Sequence, residues 1–160
     1  MKNKIIELLA PAGDIEKLKT AIHFGADAVY FAGKNYGLRA FGTNFESFSI
    51  EEAMNILHAN HKKGYVTINV YARHNDFDGL KDYVQSLVDA KVDAVIISDL
   101  GIFSFVREHF PNLEIHVSTQ ANTTNAYAAK MWQKLGAKRV VLARELDINE
   151  IENISKSNPN

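Results

Sequence analysis

The most informative run of polar side chains lies where the fifth predicted strand gives way to a helix. The run spans residues 118–122, and its candidate binding residues are Ser118, Gln120 and Asn122. Alternation along the strand places His116, Ser118 and Gln120 on one face, and a polar side chain at the end of a sheet costs free energy unless it bonds something. We therefore interpret the run as a candidate binding site. The alternative is that Asn122 or Thr123 caps the next helix while Gln120 bonds loop backbone.

The other candidates follow other predicted strands. Arg144 and Glu145 come directly after the sixth strand, where a guanidinium can hold a carboxylate or phosphate through two parallel hydrogen bonds. The alternative for this pair is an exposed ion pair at a helix start, where Glu145 favours the helix dipole. Arg39 lies in a long glycine-flanked loop, residues 36–42, and is either a substrate-binding cation or a solvated loop residue. Asn69, on the third strand, completes the candidate substrate-binding set, and no catalytic residue is identified.

The composition excludes several kinds of site. The 160 residues contain no cysteine, which excludes disulfides, a cysteine nucleophile and a cysteine-ligated cluster within them. His58 and His61 lie three apart on a predicted helix without an H-E-x-x-H pattern, so we predict no metal site. A net charge of -1 gives no global attraction to nucleic acid or membrane. The absence of cysteine and of any apolar run of spanning length predicts a cytoplasmic protein without membrane contact.

The elements that must position these residues alternate regularly along the chain. Apolar runs rich in β-branched residues alternate with amphipathic stretches of helical period. The pattern predicts strands near residues 5–9, 27–32, 65–71, 92–98, 113–118 and 138–143. It predicts helices near residues 14–24, 49–62, 79–90, 99–109, 123–135 and 147–155. This order is typical of a parallel sheet with right-handed crossovers.

Capping residues mark the predicted helix ends. Asp14 and Ser49 stand where N-caps belong, before the first and second helices. Gly25, Gly64 and Gly136 are predicted to close three helices, because glycine takes the left-handed conformation that a helix end requires.

A weak internal repeat points to a fold made of one recurring unit. Residues 25–30, 92–96 and 136–141 each leave a helix, turn, and enter a strand. A barrel of βα units shows such a repeat, and so does a doubly wound open sheet. Eight units need on the order of 250 residues, whereas this chain supplies about six. The sequence therefore predicts an α/β fold of TIM-barrel type that is incomplete, and the alternative is a complete small open-sheet domain.

An incomplete barrel has consequences for domains and partners. We predict that residues 1–160 form the N-terminal part of one barrel domain. Such a domain leaves two unpaired parallel edges, and exposed edges pair with other chains. We therefore expect the chain to dimerise or to bury an edge under its C-terminal segment.

Several ordered motifs together resemble one known family. Nearly the whole chain is similar to the collagenase-like peptidases, peptidase family U32. The matching motifs are residues 7–13, 25–33, 38–40, 118–122 and 141–146. Within the family, the chain most resembles the branch that hydroxylates the wobble uridine of certain transfer RNAs by using prephenate. Sister branches act on ribosomal RNA or on ubiquinone precursors, and the historical description is peptidase.

The resemblance implies an activity and partners for the full-length protein. It implies tRNA and prephenate as partners, and an iron–sulfur cluster on cysteines that lie beyond these 160 residues. No cofactor is expected in this chain itself. A hydroxylase that uses a dicarboxylate needs cations, which Arg39 and Arg144 can supply.

We therefore predict the N-terminal part of a prephenate-dependent tRNA hydroxylase, without activity of its own. Two alternatives stay open at this point. One is a collagenase-like peptidase, which needs a nucleophile with a positioned base and an oxyanion hole. The other is a truncated, non-catalytic binding module.

Overall fold

Six strands alternate with six α-helices in the part of the chain that the structure, a computed structural model, describes: residues 6–33, 36–37 and 49–157. The strands are β1 (Leu9–Pro11), β2 (Ala28–Ala32), β3 (Lys63–Ile68), β4 (Ala94–Ile97), β5 (Ile115–Val117) and β6 (Arg139–Val140). The helices are α1 (Ile15–His23), α2 (Ile50–Ala59), α3 (Leu80–Asp89), α4 (Leu100–His109), α5 (Ala126–Lys134) and α6 (Ile148–Ser157). Two 3₁₀ helices occupy His74–Phe77 and Thr119–Ala121. The predicted alternation of strands and helices is confirmed.

The strands form one sheet in sequential order, from β1 to β6. Pairing is parallel between β1 and β2, β2 and β3, β4 and β5, and β5 and β6. A doubly wound sheet would reverse direction at a switch point, so the sequential order confirms the prediction. The fold is α/β of TIM-barrel type, with six βα units among the described residues where a whole barrel has eight.

The described residues fall into two compact units. The first contains those up to Thr67 together with Asp82–Asp93. The helices α1, α2 and α3 are amphipathic, and apolar side chains on each of them are buried. Its largest fully buried side chains are Leu18, Phe31, Met54, Leu57, Tyr65 and Leu87.

The second unit contains Ile68–Lys81 and the described residues from Ala94 onward. Its strands β4 and β5 are buried along their whole length, as expected for parallel strands covered on both faces. α6 lies against α5. The largest fully buried side chains of this unit are Ile68, Leu80, Ile97, Ile102, Phe103 and Ile115.

Most predicted caps are confirmed. Asp14 accepts a hydrogen bond from the backbone N–H of Lys17, and Ser49 accepts one from that of Glu52. Gly25 and Gly136 have φ angles of 91° and 101° just after α1 and α5, which is the left-handed conformation predicted for them.

The prediction that Gly64 closes a helix is wrong. Gly64 lies inside β3 and is buried, and His61 takes the positive φ after α2, at 57°. A Cβ at Gly64 would collide with the Met54 side chain on α2. The glycine is therefore required by close helix–strand packing.

Two strands differ from their predicted ranges. The first strand was predicted near residues 5–9, but β1 begins at Leu9, and the side chains of Ile6 and Leu8 are exposed. Pairing to the neighbouring strand starts at the Leu8 carbonyl, which accepts the N–H groups of residues 27 and 28. After Pro11 the N–H of Ala12 still donates to the Tyr30 carbonyl at 3.0 Å, so the pairing with β2 extends one residue beyond the strand.

The sixth strand is shorter than its prediction of residues 138–143. After Val140, single backbone bonds replace the regular ladder: the N–H of Val141 donates to the Val117 carbonyl, and that of Ala143 to the Thr123 carbonyl. None of the helices within the described residues is long and apolar enough to cross a membrane.

Candidate functional site

The polar run after β5 forms a short 3₁₀ turn rather than an extension of the strand. The Ser118 hydroxyl accepts the backbone N–H of Gln120 at 3.3 Å, as expected for a serine in front of a helical turn. The Thr119 hydroxyl donates to the Leu142 carbonyl at 3.1 Å. β5 ends at Val117, so the turn, and not strand alternation as predicted, places Gln120.

The alternative structural role for this run is also wrong. Asn122 does not cap the next helix, because it takes a left-handed conformation with a φ angle of 50° and its side chain is exposed. The N-cap of α5 is Asn125, whose side chain accepts the N–H of Ala128 at 2.9 Å. Thr123 is buried, and its hydroxyl has no hydrogen-bond partner among the described residues.

The structure brings two of the predicted site residues into direct contact. Asn69, just after β3, donates from its side-chain Nδ2 to the Oε1 of Gln120 at 2.6 Å. Both residues belong to the second unit and are half-buried. The hydrogen bond orients the Gln120 amide, because its oxygen faces Asn69 and its nitrogen lies at the opposite end.

His116, which lies in β5 just before the run, has a structural role. It is buried, with 1% of its surface exposed, and its Nε2 lies 2.8 Å from the Glu114 Oε1. The Glu114 carboxylate, directly before β5, thus fixes the position of the His116 imidazole. We therefore leave His116 out of the site.

Arg144 and Glu145 are exposed and lie beyond β6 rather than directly at its end. Neither makes a hydrogen bond or ion pair with any residue that the structure describes, so the predicted alternative of an ion pair at a helix start is not observed. Asp147 and Glu150 cap α6 instead: the N–H of Asp147 donates to the Glu150 carboxylate at 2.8 Å, and the N–H of Glu150 donates to the Asp147 carboxylate at 2.9 Å. Arg39, the remaining candidate, lies outside the described residues.

A tyrosine pair in the first unit was missed from the sequence. The ring centroids of Tyr36 and Tyr83 lie 4.9 Å apart, next to Gly33 at the end of β2. The Tyr83 hydroxyl is buried without a hydrogen-bond partner among the described residues. Burial, and to a smaller extent Tyr36, raises the pKa of this phenol far above its usual range. In the sequence, the available signal was Gly33 directly after the predicted second strand. In the structure, a Cβ at this position would collide with the Tyr83 hydroxyl.

The residues of this chain do not fit an iron–sulfur cluster. Such clusters are held by cysteine thiolates, and the chain has no cysteine. Within residues 6–33, 36–37 and 49–157, no group of three or more histidine and acidic side chains is arranged to hold a metal ion.

Known relatives match almost the whole of this chain. It is 44% identical over 150 residues to tRNA hydroxylation protein P1 of Bacillus subtilis, which covers 94% of the chain and 36% of that protein. It is 42% identical over 156 residues to tRNA hydroxylation protein P of Escherichia coli, which covers 96% of the chain and 34% of that protein. The chain thus spans about a third of the length of these curated relatives.

A solved structure and a family model agree with these relatives. The structure of the U32 peptidase Mk0906 superposes with a TM-score of 0.80 at 14% identity, over 98% of this chain and 67% of that one. At this identity the likeness shows the fold alone. The model of peptidase family U32 matches residues 13–159. Because that match takes in most of the sequence, the chain belongs to peptidase family U32.

Proposed function

We propose that this chain provides part of the substrate-binding barrel of an RNA hydroxylase, which hydroxylates the wobble uridine of tRNA with prephenate in the cytoplasm. The observation that supports the proposal most strongly is the 44% identity to tRNA hydroxylation protein P1 over 94% of the chain. The relatives are about three times as long, so the activity is proposed for the full-length protein and not for these 160 residues alone.

The side chains of the candidate site are suited to binding a polar, anionic substrate. Arg144 has an exposed guanidinium without a partner among the described residues, and such a group can take a carboxylate through two parallel hydrogen bonds. Asn69 and Gln120 add a half-buried amide pair. We propose that Arg144 and these amides bind the substrate, with Arg39 as a further cation and with Ser118, Asn122 and Glu145 at the border of the site.

The peptidase alternative has less support from the site. A serine peptidase needs a hydroxyl activated by a neighbouring base. Ser118 is only 5% exposed, and its hydroxyl accepts a backbone N–H in the role of a cap. Hydrolase activity therefore stays a prediction from the family name.

The proposal is tested by deleting the gene, or by replacing it at its own locus with a variant. Deletion should remove hydroxylated wobble uridine from tRNA, measured by mass spectrometry of nucleosides. Arg144→Lys should lower the modification by roughly tenfold or more, because lysine keeps the charge but loses the two-pronged geometry. The control is Lys130→Ala, which removes an exposed cation from α5 and should leave the modification unchanged.

The outcomes separate the candidate functions. Unchanged tRNA modification in the deletion strain contradicts the hydroxylase proposal and favours the peptidase or the non-catalytic binding module. Full modification in the Arg144→Lys strain contradicts only the assignment of Arg144 to the site.

A further inference from the structure

The contact between Asn69 and Gln120 has a chemical consequence beyond joining two site residues. We infer that Asn69 is a positioning residue, which orients the Gln120 amide so that its NH₂ group donates to an acceptor oxygen of the substrate. The inference rests on the proposed function and specifies the chemistry by which that site recognises its ligand.

The orientation follows from the hydrogen bond itself. A glutamine amide has an acceptor end and a donor end that are nearly identical in shape, so only its partners decide which end points where. Asn69 donates from Nδ2, and Gln120 accepts with Oε1 at 2.6 Å. The Nε2 of Gln120 lies at the other end of the amide and makes no hydrogen bond with any described residue.

The backbone around Gln120 is also fixed. The Ser118 hydroxyl accepts its N–H, and the neighbouring Thr119 is tied through its hydroxyl to the Leu142 carbonyl. Asn122 ends the turn in the left-handed conformation. With the backbone held on both sides, the remaining freedom of Gln120 is in its side chain, which Asn69 restricts.

A donor in this position selects one class of ligand atom. An NH₂ group bonds carbonyl and carboxylate oxygens, and it leaves a donor group of the ligand unpaired. When a ligand places a donor against this NH₂ group in a half-buried site, its binding free energy is less favourable, because both polar groups have lost their hydrogen bonds to water. Two ligands of the proposed reaction have suitable oxygens, namely the carboxylates of prephenate and the ring carbonyls of uridine.

Asn69→Asp is the decisive variant. An aspartate has no N–H to donate, so it can bond Gln120 only by accepting from Nε2. This turns the amide round and presents Oε1 to the ligand, while a hydrogen bond between the two side chains is kept. The melting temperature should therefore stay close to that of the wild type, whereas affinity should fall by roughly tenfold or more.

Affinity is measured with the full-length product of the gene, for prephenate by calorimetry and for a uridine-containing anticodon stem-loop by fluorescence. The arm that loses affinity identifies the ligand that Gln120 contacts. Asn69→Ser, which releases the amide without turning it, should lose less than Asn69→Asp. The charge control is Asn75→Asp on the exposed 3₁₀ helix, which should bind both ligands like the wild type.

The result that would overturn the inference is equal affinity of wild type and Asn69→Asp for both ligands, since the hydrogen bond would then only stabilise the turn. A loss that disappears at high salt would also overturn it, because screening by salt removes charge repulsion. A wild-type protein that binds neither ligand contradicts the proposed function and the inference with it. A wild type that binds prephenate or the stem-loop, but binds neither of them better than Asn69→Asp does, contradicts the inference alone.

Discussion

At the scale of single residues, two aspartates, one directly before β2 and one directly before β4, make the same kind of hydrogen bond. Asp27 Oδ2 accepts the N–H of Leu8 at 2.9 Å, and Asp93 Oδ2 accepts the N–H of Gly64 at 2.8 Å. Each carboxylate thus bonds the backbone at the start of the preceding strand. In the third copy of the repeat, Lys138 stands at this position. The starts of β1 and β3 are therefore held by side-chain carboxylates.

The first prediction concerns Asp27. The backbone hydrogen bond from Leu8, and then the charge of Lys62, hold the pKa of this carboxyl below its usual value. A group with a depressed pKa contributes stability that is present above its unfolded pKa of about 3.9 and is lost as pH falls through its folded pKa. Asp27→Asn should therefore be less stable than the wild type at neutral pH.

Urea unfolding at several pH values measures this difference. The midpoints of the two proteins should converge in acid, once the carboxyl of the wild type is protonated. A difference in midpoint that stays constant with pH would show that charge on Asp27 is not the cause.

At the scale of elements, close contact between α2 and β3 depends on the absence of a side chain at Gly64. A Cβ at Gly64 would collide with the Met54 sulfur and with one methyl group of Leu57, and all three residues are buried. A well-packed interior relaxes little around an added atom. The helix can therefore lie on the strand only because residue 64 is glycine.

The second prediction follows from that contact. Gly64→Ala should lower the free energy of unfolding by about 1–3 kcal/mol, as overpacking does in other cores. Chemical denaturation measures the change. Gly13→Ala is the matched control, because a Cβ there meets only the Lys17 side chain at 3.7 Å. An equal loss in both variants would mean that glycine flexibility, and not packing, explains the effect.

At the scale of the whole molecule, the sheet has two end strands among the described residues, β1 and β6, in an order that runs straight through the sequence. β6 pairs with β5, and β1 pairs with β2. End strands leave backbone donors and acceptors available to another chain. The predicted association through sheet edges is consistent with this order and stays a prediction.

The third prediction is that the 160-residue chain dimerises through its edges. Light scattering over a range of concentrations should show a dimer. Tyr127, on α5, is 87% exposed, so Tyr127→Lys tests the helical surface as the alternative interface. Tyr127→Lys should leave the dimer intact. A monomer at every concentration would contradict the prediction, and a dimer lost in Tyr127→Lys would assign the interface to α5.

The sequence by itself determined the elements and most of their ends. Hydrophobic periodicity and local capping act over three or four residues, so the βα order and the caps at Asp14 and Ser49 could be predicted without the fold. Their positions after predicted strands also marked Gln120 and Arg144 as candidates, but as separate residues. Their surroundings required the fold.

Only the tertiary structure decided which candidates meet and what the buried glycine does. Asn69 and Gln120 are 51 residues apart in sequence, and no local pattern predicts that one orients the amide of the other. Gly64 follows a helix in sequence, as Gly25 does, yet it serves the packing of Met54. The physical reason is common to both cases: periodicity and caps are encoded by neighbours along the chain, whereas amide orientation and side-chain collisions depend on atoms that meet only after the strands have paired.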